Sequence, residues 1–185
     1  MKNYVMTYQQ NGRRIVKGVG HYQPKPLSDL KQLVKNCARE YGHKVGFKFK
    51  IPDGKIVEKT YIQLDQEIDR LGTALVARGF RGKRIAIISE NRYEWALCYF
   101  AIINGTGIGV PLDKYLPKEE IENLVQRGKV EAVFYSRSYN DMMRAIATTN
   151  ELIKLYICMD DIFSDETDAR FTTLPKLLEE GQLLL

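Results

Sequence analysis

The sequence predicts an α/β fold: a doubly wound, mostly parallel sheet with flanking helices, preceded by N-terminal β-hairpins. Three observations carry this expectation. Residues 84–159 alternate four short strand-like runs with three helical patterns, which is the order of βαβ units. The first of those runs, residues 84–89, is apolar without alternation, as in a strand buried on both faces. Upstream, Asn11-Gly12 and Pro52-Asp53-Gly54 each separate two strand-like runs at hairpin spacing.

Taken in order, residues 4–10 and 13–17 alternate like strands, and Asn-Gly between them favours a type I′ turn. Pro24 and Pro26 break the chain before Ser28, a helix N-cap candidate. Leu30, Leu33, Val34, Cys37, Ala38 and Tyr41 recur at helical spacing, and Gly42 suits a left-handed stop. Residues 45–51 and 56–61 form the second hairpin. Leu64, Ile68, Leu71 and Leu75 then mark an amphipathic helix closing near Gly79.

Residues 92–104 read as a helix apolar almost all round, which implies burial. Residues 107–110 form a strand ended by Pro111. Pro117 suits a first helical turn, with Glu119 and Glu120 beside the positive end of the helix dipole. That helix turns Ile121, Leu124 and Val125 inward and ends at Gly128. Residues 130–135 and 154–159 are the remaining strands. Ser138-Tyr-Asn-Asp141 offers a capping-box-like start to the helix between them, which bears Met142, Met143 and Ile146. Residues 160–185 read as an acidic, loop-like stretch ending in Leu183-Leu184-Leu185.

A chain of 185 residues with 44% hydrophobic and 28% charged residues is neither disordered nor fibrous, and it suits one domain or one and part of a second. No run approaches the roughly 20 apolar residues of a membrane span, and residues 1–10 lack the apolar core of a signal peptide. Cys37, Cys98 and Cys158 stand far apart on apolar-patterned segments, which fits reduced core residues of a cytoplasmic protein better than a disulfide frame or a metal site. Charge is uneven. Residues 1–84 hold 18 Lys and Arg against 7 Asp and Glu, and residues 85–185 hold 10 against 16. A basic half suits an anionic neighbour, or simply a solvated surface meeting acidic parts of the same protein.

The search for chemistry returns little. Gly105-Thr-Gly107-Ile-Gly109 has the wrong spacing for a dinucleotide fingerprint and runs from helix to strand, so it reads as a tight turn. Residues 171–176 carry hydroxyls and a lysine but no glycine, and read as a loop. His21 and His43 have no ligating neighbours at metal spacing. Cys98, in the apolar helix, should be unreactive. Asp160 and Asp161 follow a strand as solvated charge. Glu90 and Asp113, just past the carboxyl ends of two strands, occupy the edge where open α/β sheets bind ligands. Lys44, Lys48, Lys50, Lys55 and Lys59 alternate with Phe47, Phe49 and Tyr61, which puts charge and aromatics on opposite faces and argues against a nucleic-acid platform.

One set of motifs is more specific. Lys83-Arg-Ile-Ala-Ile-Ile-Ser-Glu-Asn-Arg-Tyr-Glu-Trp-Ala96, then Asn104-Gly-Thr-Gly-Ile-Gly-Val-Pro-Leu-Asp113 and Leu116-Pro-Lys-Glu-Glu-Ile121, resemble the N-terminal part of the AMP-forming acyl-CoA synthetases, among the adenylate-forming ligases. The Val-Pro-Leu-Asp segment resembles that family's second core motif, and Thr60-Tyr61-Ile-Gln-Leu64 its first. The resemblance spans residues 27–160 and is nearest to the long-chain fatty acyl branch. It implies a two-step reaction for a full-length parent: a fatty carboxylate attacks the α-phosphorus of ATP to give acyl-AMP and pyrophosphate, and CoA then displaces AMP. ATP, Mg²⁺ and CoA are implied for that parent, none of them bound by this stretch alone.

The sequence departs from the family by lacking its Thr-Ser-Gly-Thr-Thr-Gly-x-Pro-Lys-Gly phosphate loop and the later motifs with the magnesium carboxylate and the catalytic lysine. No catalytic, cofactor-binding or metal residue of the family therefore maps onto any position here. The expected organisation is an N-terminal extension over residues 1–27, built as a hairpin. Residues 28–185 then form the N-terminal subdomain of an AMP-binding domain, incomplete at its C-terminus. The expected role is scaffold, inactive alone, with the remainder of the parent ligase as partner. A homodimer is expected through residues 4–17 and the terminal leucines, with no nucleic acid and at most peripheral membrane association. The alternative is an independent binding module for an anionic partner.

Overall fold

The computed structural model describes residues 5–18, 25–51, 53–161 and 168–185. His21, Pro24, Pro52 and part of the acidic stretch after Asp161 lie outside the described residues, so the expectations placed on them are not addressed.

Strands β1 (Val5–Gln10) and β2 (Arg13–Gly18) pair antiparallel around Asn11 and Gly12, whose φ angles of 52° and 72° are those the type I′ turn demands. Helix α1 (Leu30–Tyr41) starts one residue later than Ser28 suggested. Asp29 is the N-cap and accepts from the Gln32 amide at 2.7 Å, while Ser28 donates its own amide to Gln32 Oε1. A carboxylate has the reach to satisfy the first-turn donors, and Ser28 is displaced to the position before the cap. Gly42 ends the helix with φ 30° and ψ −93°, a positive φ outside the left-handed helical basin.

Strands β3 (Val45–Lys50) and β4 (Ile56–Thr60) form the second hairpin, bulged near Val45. Helix α2 (Tyr61–Ala77) follows at once. Its Thr60 cap and Gln63 close a reciprocal capping box.

The core is a five-stranded parallel sheet in the order β6-β5-β7-β8-β9, comprising β5 (Arg84–Ile88), β6 (Ile108–Pro111), β7 (Ala132–Tyr135), β8 (Leu155–Cys158) and β9 (Phe171–Thr173). Helices α3 (Tyr93–Ala101), α4 (Lys118–Gly128), α5 (Asn140–Ala147) and α6 (Leu174–Leu184) complete it. β5, β7 and β8 are buried on both faces apart from the leading Arg84. Ile85, Ile87, Phe134 and Ile157 pack under α1, α2, α3 and α6, while Ala86, Ile88, Val133 and Tyr156 pack under α4 and α5. This two-sided burial is what makes such strands read as continuous apolar runs.

Several local expectations are corrected. Residues 160–185 are not loop-like throughout: β9 adds the fifth strand and α6 closes the fold. Phe171 to Lys176 is therefore strand and helix start, with Thr173 capping the Lys176 amide. Pro117 is itself the N-cap of α4, one position before its first turn. That helix ends at Gly128 as the sequence predicts, and Lys129 after it adopts the left-handed conformation at φ 48°. The buried helix over residues 92–104 regularises only to Ala101, then widens into a π-type turn (Ile102–Thr106) that unwinds at Asn104 and at Gly105, φ 116°. Ser138 does not cap α5. It lies in a 3₁₀ turn (Arg137–Tyr139) and turns its hydroxyl elsewhere.

Candidate functional site

Chain order and strand order together define a crevice. From β5 the chain runs through α3 to β6 at one side, and from β7 it runs through α5 to β8 at the other. α3 lies on one face of the sheet and α5 on the opposite face. The loops leaving the carboxyl ends of the adjacent strands β5 and β7 therefore diverge, which is the topological switch point at which open α/β sheets bind ligands.

Two sequence-identified positions sit along this edge. Glu90 follows β5, and Ser138 donates its hydroxyl to Glu90 Oε1 at 2.5 Å across the crevice. Ser136 and Ser138 share a hydrogen bond at 3.0 Å, and Ser89 donates to the Glu90 carbonyl at 2.8 Å. Partial burial pushes the Glu90 carboxyl up, but hydrogen bonds from Ser136 and Ser138 outweigh it and hold the group below its ordinary value. Glu90 is thus an anchored anion. Asp113, past β6, is exposed and accepts from the Tyr115 amide at 2.9 Å, which braces its own turn. The Tyr139 hydroxyl donates to the Lys114 carbonyl at 2.7 Å and ties that turn to the start of α5.

Sequence reasoning missed the other half of the rim. Arg92 Nη1 donates to both oxygens of Asp160, at 2.8 and 3.0 Å, and its Nε donates to Glu94 at 2.6 Å. The Arg137 amide also donates to Asp160, at 2.8 Å. Burial draws the Arg92 guanidinium down, but the two carboxylates more than compensate and fix it as a cation. From sequence Asp160 reads as solvated loop charge, whereas in the fold it joins three loops. The available signal was position, because Arg92, Ser136 and Asp160 each follow the carboxyl end of a central strand closely.

The rim offers fixed charges and hydroxyls suited to holding a ligand. Its carboxylates are committed to hydrogen bonds rather than poised as bases. Among the described residues, no group of three or more His, Cys, Asp or Glu could hold a metal ion, so the residues present do not fit a Mg²⁺ site. A phosphate cradle does not fit either. Residues 105–109 lead into the amino end of β6, at the edge away from the rim, and a Cβ on Gly107 would lie 2.5 Å from the Lys83 carbonyl oxygen. That glycine serves close strand approach. Cys98 is fully buried and its thiol is pushed well above the ordinary value by burial. His43 is exposed beyond the end of α1.

The lysine-rich hairpin also follows its alternation. Phe47 and Phe49 pack inward on Tyr93, with ring centroids 5.2 and 5.5 Å away, while Lys48 and Lys50 face out. Lys59 departs from this pattern. It turns inward to Glu67 at 2.5 Å and over the Tyr93 ring.

Known proteins share this architecture. The profile of the AMP-binding enzyme family matches residues 34–180. A crotonobetaine/carnitine–CoA ligase of Citrobacter koseri is 26% identical over 132 residues, which covers 71% of this chain and 26% of that protein. A protein of the same name from Salmonella heidelberg is 28% identical over 149 residues, covering 79% of this chain and 29% of its own length. The chain therefore spans little more than a quarter of these relatives. In structure, a coronafacic acid ligase of Pectobacterium brasiliense superposes with a TM-score of 0.71 at 17% identity, over 80% of this chain and 29% of that one. With the profile covering most of its length, the chain belongs to the AMP-binding enzyme family.

Proposed function

We propose that the chain is the N-terminal scaffold of an AMP-forming carboxylate–CoA ligase that acts on a fatty acid in the cytoplasm, with the remainder of the ligase as its partner. Residues 28–185 form the incomplete subdomain in this reading, and residues 1–27 an extension to it. The observation that carries it is the braced rim over the β5/β7 crevice, where Ser138–Glu90 and Arg92–Asp160 hold three loop segments in fixed relation. Such a rim can form one wall of a ligand site whose phosphate loop and metal carboxylate come from elsewhere in the polypeptide. In this reading the rim residues position a ligand along that wall, and the phosphate and metal chemistry belongs to those other parts of the ligase. The fatty acyl preference rests on the motif resemblance, while the curated relatives are named for crotonobetaine and carnitine.

The whole ligase polypeptide, assayed for ATP–pyrophosphate exchange, is expected to respond to long-chain fatty acids. A response to carnitine or crotonobetaine alone would transfer the substrate assignment to that class. No response to any carboxylate would overturn the ligase reading. The 185-residue chain by itself is expected to give no exchange.

A further inference from the structure

Lys2, Arg13, Arg14, Lys17 and Lys25 lie in a stretch of 28 residues without one aspartate or glutamate. Residues 29–185 balance, with 23 cationic against 23 anionic side chains. The chain's formal excess of +5 therefore belongs wholly to the segment that carries the β1–β2 hairpin.

The register sorts that hairpin into two faces. Met6 opposes Lys17, Tyr8 opposes Ile15 and Gln10 opposes Arg13, so these six share one face of the ribbon. Met6, Tyr8 and Ile15 make an apolar centre, with Lys17 at one end and Arg13 at the other. Every residue of both strands is exposed except Ile15, which is half-buried. Met6 is 53% exposed and Val16, on the reverse face, 62%. A two-stranded ribbon without a covering layer is marginal in water, so this one gains from a surface to lie on. Aromatic and aliphatic side chains between flanking cations are the composition of segments that lie in a membrane interface. There the apolar groups enter the headgroup boundary and the cations meet lipid phosphates.

We propose that the β1–β2 hairpin docks the chain on an anionic lipid bilayer, with Met6, Tyr8 and Ile15 seated at the headgroup boundary, Arg13 and Lys17 of the same face on the phosphates, and Arg14, on the reverse face, still within reach of the surface potential. Two other occupants fit the face less well. A ribbon of this size offers roughly 20 by 10 Å per face, about 200 Å². A stable dimer buries about 800 Å² per partner, and a second hairpin would bring the same cations against these. A nucleic acid would want several stacking rings, and this face carries Tyr8 alone among aromatics. Docking is independent of the ligase reading, since its readout is binding and not turnover.

The test is co-sedimentation of the full chain with phosphatidylcholine vesicles containing or lacking about 30% phosphatidylglycerol, at about 0.1 M salt. Binding is expected on the anionic vesicles and to fall on the order of a hundredfold when Arg13→Gln, Arg14→Gln and Lys17→Gln are combined, at roughly fivefold per cation. Met6→Ser with Tyr8→Ser should also weaken it, with the melting temperature unchanged in both variants. Equal binding to neutral vesicles, or undiminished binding by the triple variant, would overturn the proposal. So would tighter binding to an oligonucleotide, or a dimer by light scattering that the same substitutions dissolve.

Discussion

The Arg92 guanidinium reaches across β7 to Asp160, so the loop after β5 is joined to the loop after β8 by a two-oxygen contact at 2.8 and 3.0 Å. Asp160 also receives the Arg137 amide from the intervening loop. One carboxylate therefore braces three of the loops that shape the crevice. Both side chains are about three-quarters shielded, with exposures of 28% and 26%, so solvent screens the pair less than an open surface bridge.

Replacing Asp160 with Ala removes that acceptor and leaves Arg92 to Glu94 alone. The expected loss is about 2 kcal/mol, since hydrogen bonds to charged groups contribute in that range. In a chain of this length the melting temperature should drop by roughly 4–8 °C. A urea titration showing no change in midpoint would contradict the bracing role.

Gly181 is a second sensitive position. It is buried in α6, and a Cβ there would overlap the Arg70 carbonyl of α2. Two effects oppose each other in Gly181→Ala. Helix propensity gains about 1 kcal/mol, whereas forcing two backbones apart costs about 1–3 kcal/mol or more. Overlap with a backbone atom cannot be relieved by a rotamer change, so net destabilisation is expected in thermal melts. A stabilised Gly181→Ala protein would show that α6 does not lie this close to α2.

Thiol labelling separates the three free cysteines. Cys37 is half-buried, while Cys98 and Cys158 are buried and burial pushes both thiols up. Only the thiolate reacts. One thiol should be modified promptly by a disulfide reagent in native protein, and the other two only on unfolding. Prompt modification of all three would refute the buried placement of α3 and β8.

Alkaline pH probes the core in another way. Burial raises Tyr93, Tyr135 and Tyr156, the last to about 12, and the Glu67 carboxylate adds to the shift on Tyr93 by accepting its proton at 2.7 Å. In the unfolded chain these phenols ionise near pH 10. Above that pH the unfolded state holds fewer protons than the folded one, so stability falls as pH rises. Urea midpoints should begin to decline above about pH 8.5, where the unfolded thiols of Cys98 and Cys158 ionise first, and fall more steeply beyond about pH 10 as the phenols follow. Phenolate absorbance should develop in step with unfolding for these three tyrosines.

The sheet was legible where burial is two-sided. Ile85 to Ile88 and Val133 to Tyr135 face helices on both sides, so no polar residue interrupts them. β9 was hidden because Phe171-Thr-Thr173 is short and largely polar, with both threonines buried at the sheet's end. Residues 171–176 read as a loop in sequence, yet Pro175 at the start of α6 suits the first turn. Glu90 and Asp113 could be found because position after a strand is visible in the chain. Arg92 with Asp160 could not, because the two stand 68 residues apart and only the strand order brings them together.

The segregation of charge bears on how the protein behaves in bulk solution. With residues 29–185 at formal neutrality, the globular part carries no net field to keep copies apart near pH 7. The five cations of the first 28 residues supply that net charge, and three of them, Arg13, Arg14 and Lys17, supply it from an exposed ribbon outside the core. Solubility and folding stability are thus assigned to different parts of one chain. Neutralising Arg13, Arg14 and Lys17 should leave the melting curve unchanged while lowering the concentration at which the protein precipitates.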